Sequence, residues 1–204
     1  MNQSSKHRLE AFSDGVFAIS ITLLIVPLQE QFIHIRLSEG LLLVVSSLFT
    51  YIMSFIVIGI YWLNHHNLFN LFQRVNPSIV WLNMLHLLFI SLIAVFTALA
   101  GQNPWLTLPA ILYGSIVLLA NISSFLMLRT VSQSQDLREA AVDPAVFKRF
   151  NKFYFAIAAI YGIAILSSFI QPIISYTLYL AVNFLLIISS FKSEMHNIDN
   201  LEKT

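Results

Sequence analysis

Apolar residues are grouped along the chain into six long runs, separated by segments that contain polar residues, glycine or proline. Each run is close to the roughly 20 residues that an α-helix needs to cross a bilayer. Because lipid offers no hydrogen-bond partner to an open backbone, each run is predicted to be a transmembrane helix. The six predicted spans cover residues 11–28, 40–63, 78–100, 106–128, 153–170 and 173–191.

The segments between the spans contain residues that start helices or form turns. Ser38, Asn76 and Asp143 are predicted N-caps, and the last two precede a proline, which favours the first helical position. Residues 101–104 and 171–172 are predicted tight turns before the fourth and sixth spans. The whole chain of 204 residues is therefore predicted to be a single all-α domain, an integral membrane bundle of six transmembrane helices.

Composition supports this fold class and excludes several functions. Hydrophobic residues make up 57% of the chain and charged residues only 10%, and the mean hydropathy is +0.77, whereas soluble proteins carry about 25% charged residues. The net charge of +1 and the thinly spread basic residues give no patch for nucleic acid. The absence of cysteine excludes disulfides, thiolate metal sites and cysteine nucleophiles.

The lysines and arginines predict the orientation. If the N-terminus is cytoplasmic, ten of the eleven lie on the cytoplasmic side and only Arg36 lies outside. Cytoplasmic segments of membrane proteins are enriched in these residues, so both termini are predicted to be cytoplasmic. The longest connection, about residues 130–152, is then cytoplasmic too, and the function is expected to reside in the helices.

Ionisable side chains at membrane depth are candidate functional residues, because they are costly there. Asp14 is the one acid clearly inside a span, and it matches the depth of His65 and His66 better than that of His86. Two interpretations stay open: a hydrogen-bonded link between helices that includes Ser13, or a proton relay. A metal site is disfavoured, because adjacent histidines on a helix point about 100° apart and no second carboxylate completes a ligand set.

The first span divides into two faces at about 100° per residue. One face carries Phe12, Gly15, Val16, Ile19, Thr22, Leu23 and Val26, and the opposite face carries Asp14, Phe17, Ile21, Ile25 and Leu28. The acid therefore faces away from the aliphatic stripe that contains Ile19 and Leu23. Such a stripe alone indicates only lipid contact or core packing.

The head of the first span carries a recognisable motif. Arg8, Phe12, Ser13, Asp14 and Gly15 spell R-x-x-x-F-S-D-G, which resembles the signature of the lysosomal potassium channel family, transmembrane protein 175, and its bacterial members. A second, weaker motif at the end of the second span is similar to the family pattern as well: W-x-x-H, formed by Trp62 and His65. The six-span layout also agrees with the family over the whole chain.

The resemblance implies a potassium-permeable cation channel that assembles as a homotetramer, with the first helix of each subunit, about residues 11–28, lining a central pore. Members lack the TVGYG filter of ordinary potassium channels, and so does this sequence. The resemblance assigns the pore rings to Ile19, Thr22, Leu23 and Val26. It also implies that Ser13 and Asp14 join helices near the cytoplasmic side, with His65 as the first candidate partner and Arg8 and Trp62 as further candidates.

These assignments predict a multi-pass protein of the cell membrane, in a bacterium the inner membrane, that interacts with lipid and monovalent cations and needs no resident cofactor or metal. Ile19 is expected to form a narrow, weakly wetted neck. Val26 is smaller, so whether the outer ring constricts the pore stays open. The rival interpretation is a proton-coupled secondary transporter that uses Asp14 and His65. Against it, the sequence has no evident inverted repeat, which many secondary transporters contain. An enzyme is disfavoured, because no nucleophile with a base at matching depth is evident.

Overall fold

The computed structural model describes residues 3–26, 28–29, 41–139 and 142–201, and the long elements in these ranges are six α-helices. They confirm the predicted all-α class and the predicted order of six helical segments. Their bounds are α1 Gln3–Leu23, α2 Leu41–Phe69, α3 Pro77–Gln102, α4 Thr107–Ser132, α5 Pro144–Ser167 and α6 Pro172–Leu201.

Two of the predicted helix starts are confirmed by their cap geometry. The side chain of Asn76 accepts a hydrogen bond from the backbone N–H of Ile79 at 2.9 Å, and Pro77 follows at the first helical position. Asp143 likewise accepts from the N–H of Ala145 at 2.8 Å, and α5 begins at the next residue. Both caps satisfy a backbone donor that a helix start leaves without an intrahelical partner. The third predicted cap, Ser38, lies outside the described residues.

The first and fifth helical segments agree closely with the predictions. The first was expected to reach residue 28. The α1 helix ends at Leu23, Leu24 forms a turn in which its N–H donates to the carbonyl of Ile21 at 3.3 Å, and residues 25–26 and 28–29 are helical again. Apart from that turn, the described residues are therefore helical to the predicted end. The fifth apolar span was predicted to begin at residue 153, preceded by a helix that starts at the Asp143–Pro144 pair and runs into it. The α5 helix starts at Pro144 and continues without a break to Ser167, as predicted.

Three of the described helices, α3, α4 and α5, are long and apolar enough to cross a membrane, as judged by length and composition. The α6 helix contributes a shorter apolar stretch, Pro172–Ile187. The first half of α1 carries Lys6, Arg8, Glu10 and Asp14, so its apolar part is confined to the later turns. The first half of α1 therefore differs in character from the membrane-capable helices.

The helices pack mainly against their neighbours in sequence. Each of α3–α4, α4–α5 and α5–α6 forms a packed pair, α1 lies against α2 and α3, and α6 closes the bundle against α2 and α4. The main hydrophobic core draws buried side chains from all six helices, among them Phe17, Ile58, Ile90, Val117 and Tyr161. The bundle therefore has an apolar core, and α1 lies at one side of it.

A second core fills the end of the bundle where the α2–α3 and α4–α5 connections meet. Leu9 of α1, Phe69 of α2, Leu128 of α4 and Phe147 of α5 are all buried in it. The two connections also pair through their backbones, because Gln73 N–H donates to the carbonyl of Leu137 at 2.8 Å and Glu139 N–H donates to that of Leu71 at 3.0 Å. The pairing joins the two connections, and the shared core packs the N-terminal part of α1 together with the start of α5.

Candidate functional site

The α1 helix has one buried face and one exposed face. Along the buried face, Leu9, Ser13, Phe17, Ser20 and Leu24 recur every three or four residues and pack toward α2 and α3. The other face leaves three predicted ring residues open, with Ile19 59%, Leu23 57% and Val26 43% exposed. An apolar face of this size on one subunit indicates contact with lipid or with further protein.

Ser13 belongs to a buried hydrogen-bonded chain that joins three helices. The ring nitrogen Nε2 of His65 lies 2.7 Å from Oδ1 of Asn83, and Nδ2 of Asn83 donates to Oγ of Ser13 at 2.9 Å. The hydroxyl of Ser13 donates in turn to the carbonyl of Leu9 at 2.8 Å. Ser13, His65 and Asn83 are all buried. The chain thus links α1 through α3 to α2 at one depth, and each of these polar groups has a partner.

Asp14 is hydrogen-bonded to Trp62, one of the candidate partners that the resemblance gave, and not to His65. Oδ1 of Asp14 accepts a hydrogen bond from the indole N–H of Trp62 at 2.8 Å, while His65 is bonded to Asn83. The reason is angular: Trp62 and Asp14 both lie at the exposed edge of the α1–α2 contact, whereas His65 points into the bundle. His66, the other candidate, is exposed and stacks on the Trp62 ring with centroids 6.2 Å apart.

The other residues of the first motif lie on the exposed side of α1. Arg8, Phe12 and Gly15 are exposed, and a Cβ added at Gly15 would meet nothing within 4 Å. Arg8 lines a shallow surface groove with Ser4, His7 and Ala11. The motif therefore has two parts: Ser13 and Asp14 bond to other helices, and the remaining three residues share the open face of Ile19.

Thr22 presents a hydroxyl oxygen beside the exposed aliphatic residues. Its O–H donates to the carbonyl of Ile19, one turn earlier, at 2.9 Å. With its hydrogen used inside the helix, the Thr22 oxygen keeps lone pairs that can accept a donor or contact a cation. The exposed face thus offers aliphatic groups and one acceptor oxygen, and no formal charge beyond the first turns.

His86 is hydrogen-bonded to α4 and not to Asp14, which agrees with its poorer match to the depth of Asp14. Its Nδ1 lies 3.0 Å from Oγ of Ser123 and 3.1 Å from the carbonyl of Ala120, both on α4. Its ring stacks on that of His65 with centroids 5.6 Å apart. The two buried rings connect the Ser13 chain to α4, so the polar groups of α1 to α4 form one contiguous set.

Sequence reasoning missed Asn83, which joins Ser13 to His65. A signal was available: Asn83 lies seven residues after the Asn76 cap, or about 10 Å into α3, close to the depth already assigned to Asp14 and the histidines. Among the described residues, no group of three or more His, Asp or Glu is arranged to hold a metal ion.

Comparison with known proteins identifies the family. The sequence model of the family described as "Endosomal/lysosomal potassium channel TMEM175" matches residues 8–93, which contain most of α1, all of α2 and the first two-thirds of α3. A protein named as a potassium channel in Chryseobacterium sp. (strain P1-3) is 36% identical over 184 residues, covering 87% of this chain and 90% of the relative. A Gallus gallus relative, named as an endosomal/lysosomal proton channel, is 38% identical over 96 residues, which cover 42% of this chain and 19% of the relative.

The fold agrees with the same family. The crystal structure of a lysosomal potassium-selective channel TMEM175 homolog from Chamaesiphon minutus superposes with a TM-score of 0.78 at 28% sequence identity, covering 92% of this chain and 99% of that one. These relatives are named as channels and not as enzymes, and the apolar helices α3, α4 and α5 agree with a multi-pass membrane protein. The motif at the head of α1, the helix order and these similarities together show that the chain belongs to the TMEM175 family.

Proposed function

We propose that the chain is one subunit of a homotetrameric, potassium-permeable cation channel in which α1 lines a central pore. Support comes from the relatives, since one is named as a potassium channel and another as a potassium-selective channel. The proposed setting is a cell membrane, in a bacterium the inner membrane, with both termini cytoplasmic. That orientation rests on the distribution of lysine and arginine.

One observation carries the proposal: the exposed apolar face of α1. Ile19 and Leu23 are nearly 60% exposed, although the opposite face of the same helix is fully packed. The same face carries Thr22, whose oxygen keeps lone pairs free to accept. One copy supplies one such face, so a closed conduit requires several copies around an axis, and symmetric rings are the usual form of such assemblies.

The hydrogen bonds of Ser13 and Asp14 give the motif its proposed role. They tie α1 to α2 and α3 at neighbouring positions on the helix, which sets the rotation of α1 and thereby the direction in which Ile19, Thr22 and Leu23 point. Asp14 thus orients the pore helix and does not bind the permeating ion. Phe12, Gly15 and Arg8 lie on the pore side of the same turns.

Selectivity in this proposal arises at an aliphatic neck. A ring of Ile19 side chains is narrow and weakly wetted, and such constrictions gate by dewetting. An ion must shed part of its water there, and potassium holds its hydration shell less tightly than sodium does. The acceptor oxygen of Thr22, one turn away, replaces part of the lost water, and the Leu23 ring continues the apolar wall. Val26 lies beyond the end of α1, and we propose that it lines the wider outer mouth.

The proton-coupled transporter is not favoured by the geometry. That mechanism requires Asp14 and His65 to exchange a proton, but each is hydrogen-bonded to a different residue, Trp62 and Asn83 respectively. A permanent pore and a coupled carrier also differ in an observable property. The purified protein in a planar bilayer is expected to pass potassium in discrete current steps without any coupled gradient.

Ile19→Ser tests the proposed neck. Serine is smaller and polar, so single-channel conductance is expected to rise and the preference for potassium over sodium to fall. The matched control is Ile163→Ser on α5, where the isoleucine is 60% exposed against 59% for Ile19, and where conductance and selectivity are expected to stay at their original values. Unchanged currents and ion preference in Ile19→Ser would refute the proposed pore lining.

A further inference from the structure

The α5 helix carries a continuous outward face that begins with three cations. Lys148, Arg149 and Lys152 are all exposed and lie in its first turns. The later exposed positions are apolar, with Phe155 75% and Leu166 68% exposed. At about 100° per residue, all of these positions lie within roughly 60° of Lys152 around the helix axis. The charged and apolar parts thus form one stripe.

The opposite side of α5 is packed into the protein. Phe147, Tyr154, Ile157, Tyr161 and Ala164 are buried, and all five lie more than about 100° away from Lys152 around the helix. The two faces are therefore sharply separated. The outward stripe is a surface of the subunit that this chain itself leaves uncovered.

The stripe is longer than one leaflet of a bilayer is thick and shorter than the whole hydrocarbon core. Lys152 and Leu166 are fourteen residues apart, which is about 21 Å along a helix, against a hydrocarbon core about 30 Å thick. The cations stand at one end only. Amphipathic cations at the end of a lipid-facing helix extend to the polar headgroups while their alkyl stems stay beside the acyl chains.

Among the described residues, the three cations form no ion pair with an acid. The sequence of α5 contains no Asp or Glu, and the ion pairs in the described ranges involve Glu10 of α1. The nearest acid along the chain, Asp143, caps the helix and lies about 180° from Lys152 around the axis. The outward stripe of α5 thus begins with three positive charges, and phosphate is the complementary group.

The position of α5 in the bundle indicates whether lipid or a second copy of the chain covers the stripe. The α1 helix packs against α2 and α3, whereas α5 packs against α4 and α6. If α1 faces the common axis of the assembly, α5 lies at the outer side, with the α3–α4 pair between them. This step rests on the proposed channel assembly.

We propose that the outward stripe of α5 is a binding surface for anionic phospholipids of the cytoplasmic leaflet. Lys148, Arg149 and Lys152 contact the headgroup phosphates, and the face from Phe155 to Leu166 contacts the acyl chains. Each cation near an anionic membrane surface strengthens association roughly fivefold, so the three together give a clear preference for phosphatidylglycerol over phosphatidylcholine.

The chain has no cysteine, which allows a site-specific measurement. The full-length Ala156→Cys protein is labelled with bimane on the stripe and placed in phosphatidylcholine vesicles that contain either brominated phosphatidylcholine or brominated phosphatidylglycerol. Stronger quenching by brominated phosphatidylglycerol is expected. In the triple variant Lys148→Gln, Arg149→Gln, Lys152→Gln the preference is expected to disappear. It is expected to survive in Lys148→Arg, Arg149→Lys, Lys152→Arg, which keeps the charges, and in Arg74→Gln, which removes an exposed cation outside α5.

Three results would overturn the proposal: equal quenching by both lipids in the labelled protein, a preference that survives the triple glutamine variant, or a label that neither lipid quenches. The last would show that protein covers the face. Potassium efflux from the same vesicles is measured in parallel. Loss of efflux with the lipid preference intact would refute the channel and not the lipid surface, so the two failures are distinguishable.

Discussion

Replacing Asn83 by leucine tests whether the buried polar chain holds α1 in place. The amide of Asn83 makes two hydrogen bonds, 2.9 Å to Oγ of Ser13 on α1 and 2.7 Å to Nε2 of His65 on α2. Leucine has the same number and branching of side-chain heavy atoms as asparagine but cannot form either bond. The substitution therefore removes the interhelical polar links of α3 at this depth and changes the packing little.

The expected loss of stability follows from those two contacts. Hydrogen bonds between membrane helices contribute about 0.6–2 kcal/mol each, so two give about 1–4 kcal/mol. The buried ring of His65 is left without its partner, and an unpaired buried group adds a penalty of about 1–3 kcal/mol. The combined range is about 2–7 kcal/mol, and because the two contributions overlap we expect Asn83→Leu to lower the free energy of unfolding by about 2–4 kcal/mol, in the lower part of that range.

The assay is reversible unfolding in mixed micelles, with dodecyl sulfate as the denaturant and tryptophan fluorescence as the signal. The control is Thr97→Val on the same helix, because the Thr97 hydroxyl donates only to the carbonyl of Ile93 within α3. It is expected to change stability by less than about 0.5 kcal/mol. A double-mutant cycle with Ser13→Ala is expected to give a coupling of about 1 kcal/mol. Additive effects, or an Asn83→Leu protein as stable as the control, would contradict the proposed linkage.

Two further substitutions probe other contacts by the same unfolding measurement. Trp62→Phe removes the indole N–H that donates to Asp14 but keeps an aromatic ring, so a loss of about 0.5–1.5 kcal/mol is expected; an unchanged stability would show that the contact contributes nothing. Gly114→Ala is expected to cost about 1–3 kcal/mol, because a Cβ there would overlap Tyr179 and Ile165. Gly162→Ala, where a Cβ meets nothing within 4 Å, is the control and is expected to be neutral or stabilising; equal effects of the two would refute the overlap.

The helices could be predicted from sequence because their signals are local. Apolar runs of bilayer length gave all six segments, and the Asn-Pro and Asp-Pro pairs marked two helix starts to the residue. The ends were harder to predict. Hydropathy reports where a helix meets lipid and not where it starts or stops, so the start of α5 came from the Asp143–Pro144 pair and not from its apolar part. The turn at Leu24, which interrupts the first helical segment, has no such local signal.

The partner of Asp14 could not be predicted because sequence gives depth but not direction. Trp62 and His65 lie three residues apart on α2, about one turn, so both match the depth of Asp14. The choice depends on how α1 and α2 are rotated against each other, which is set by packing with α3. Asn83 entered the site for the same reason: its position on α3 brings it between Ser13 and His65, a relation among three helices that no single segment encodes.

The alternation of side-chain size along the buried face of α1 limits how that helix can move. Phe17 lies between two serines on the same face and contacts the rings of His65 and His86, while the hydroxyls of Ser13 and Ser20 fold back onto carbonyls of their own helix. A displacement of α1 by one turn along its axis would bring the phenyl ring into a space that fits only a serine. Axial sliding is therefore opposed, and in the proposed assembly a change in pore width would come from tilting whole subunits or from rotamers on the open face.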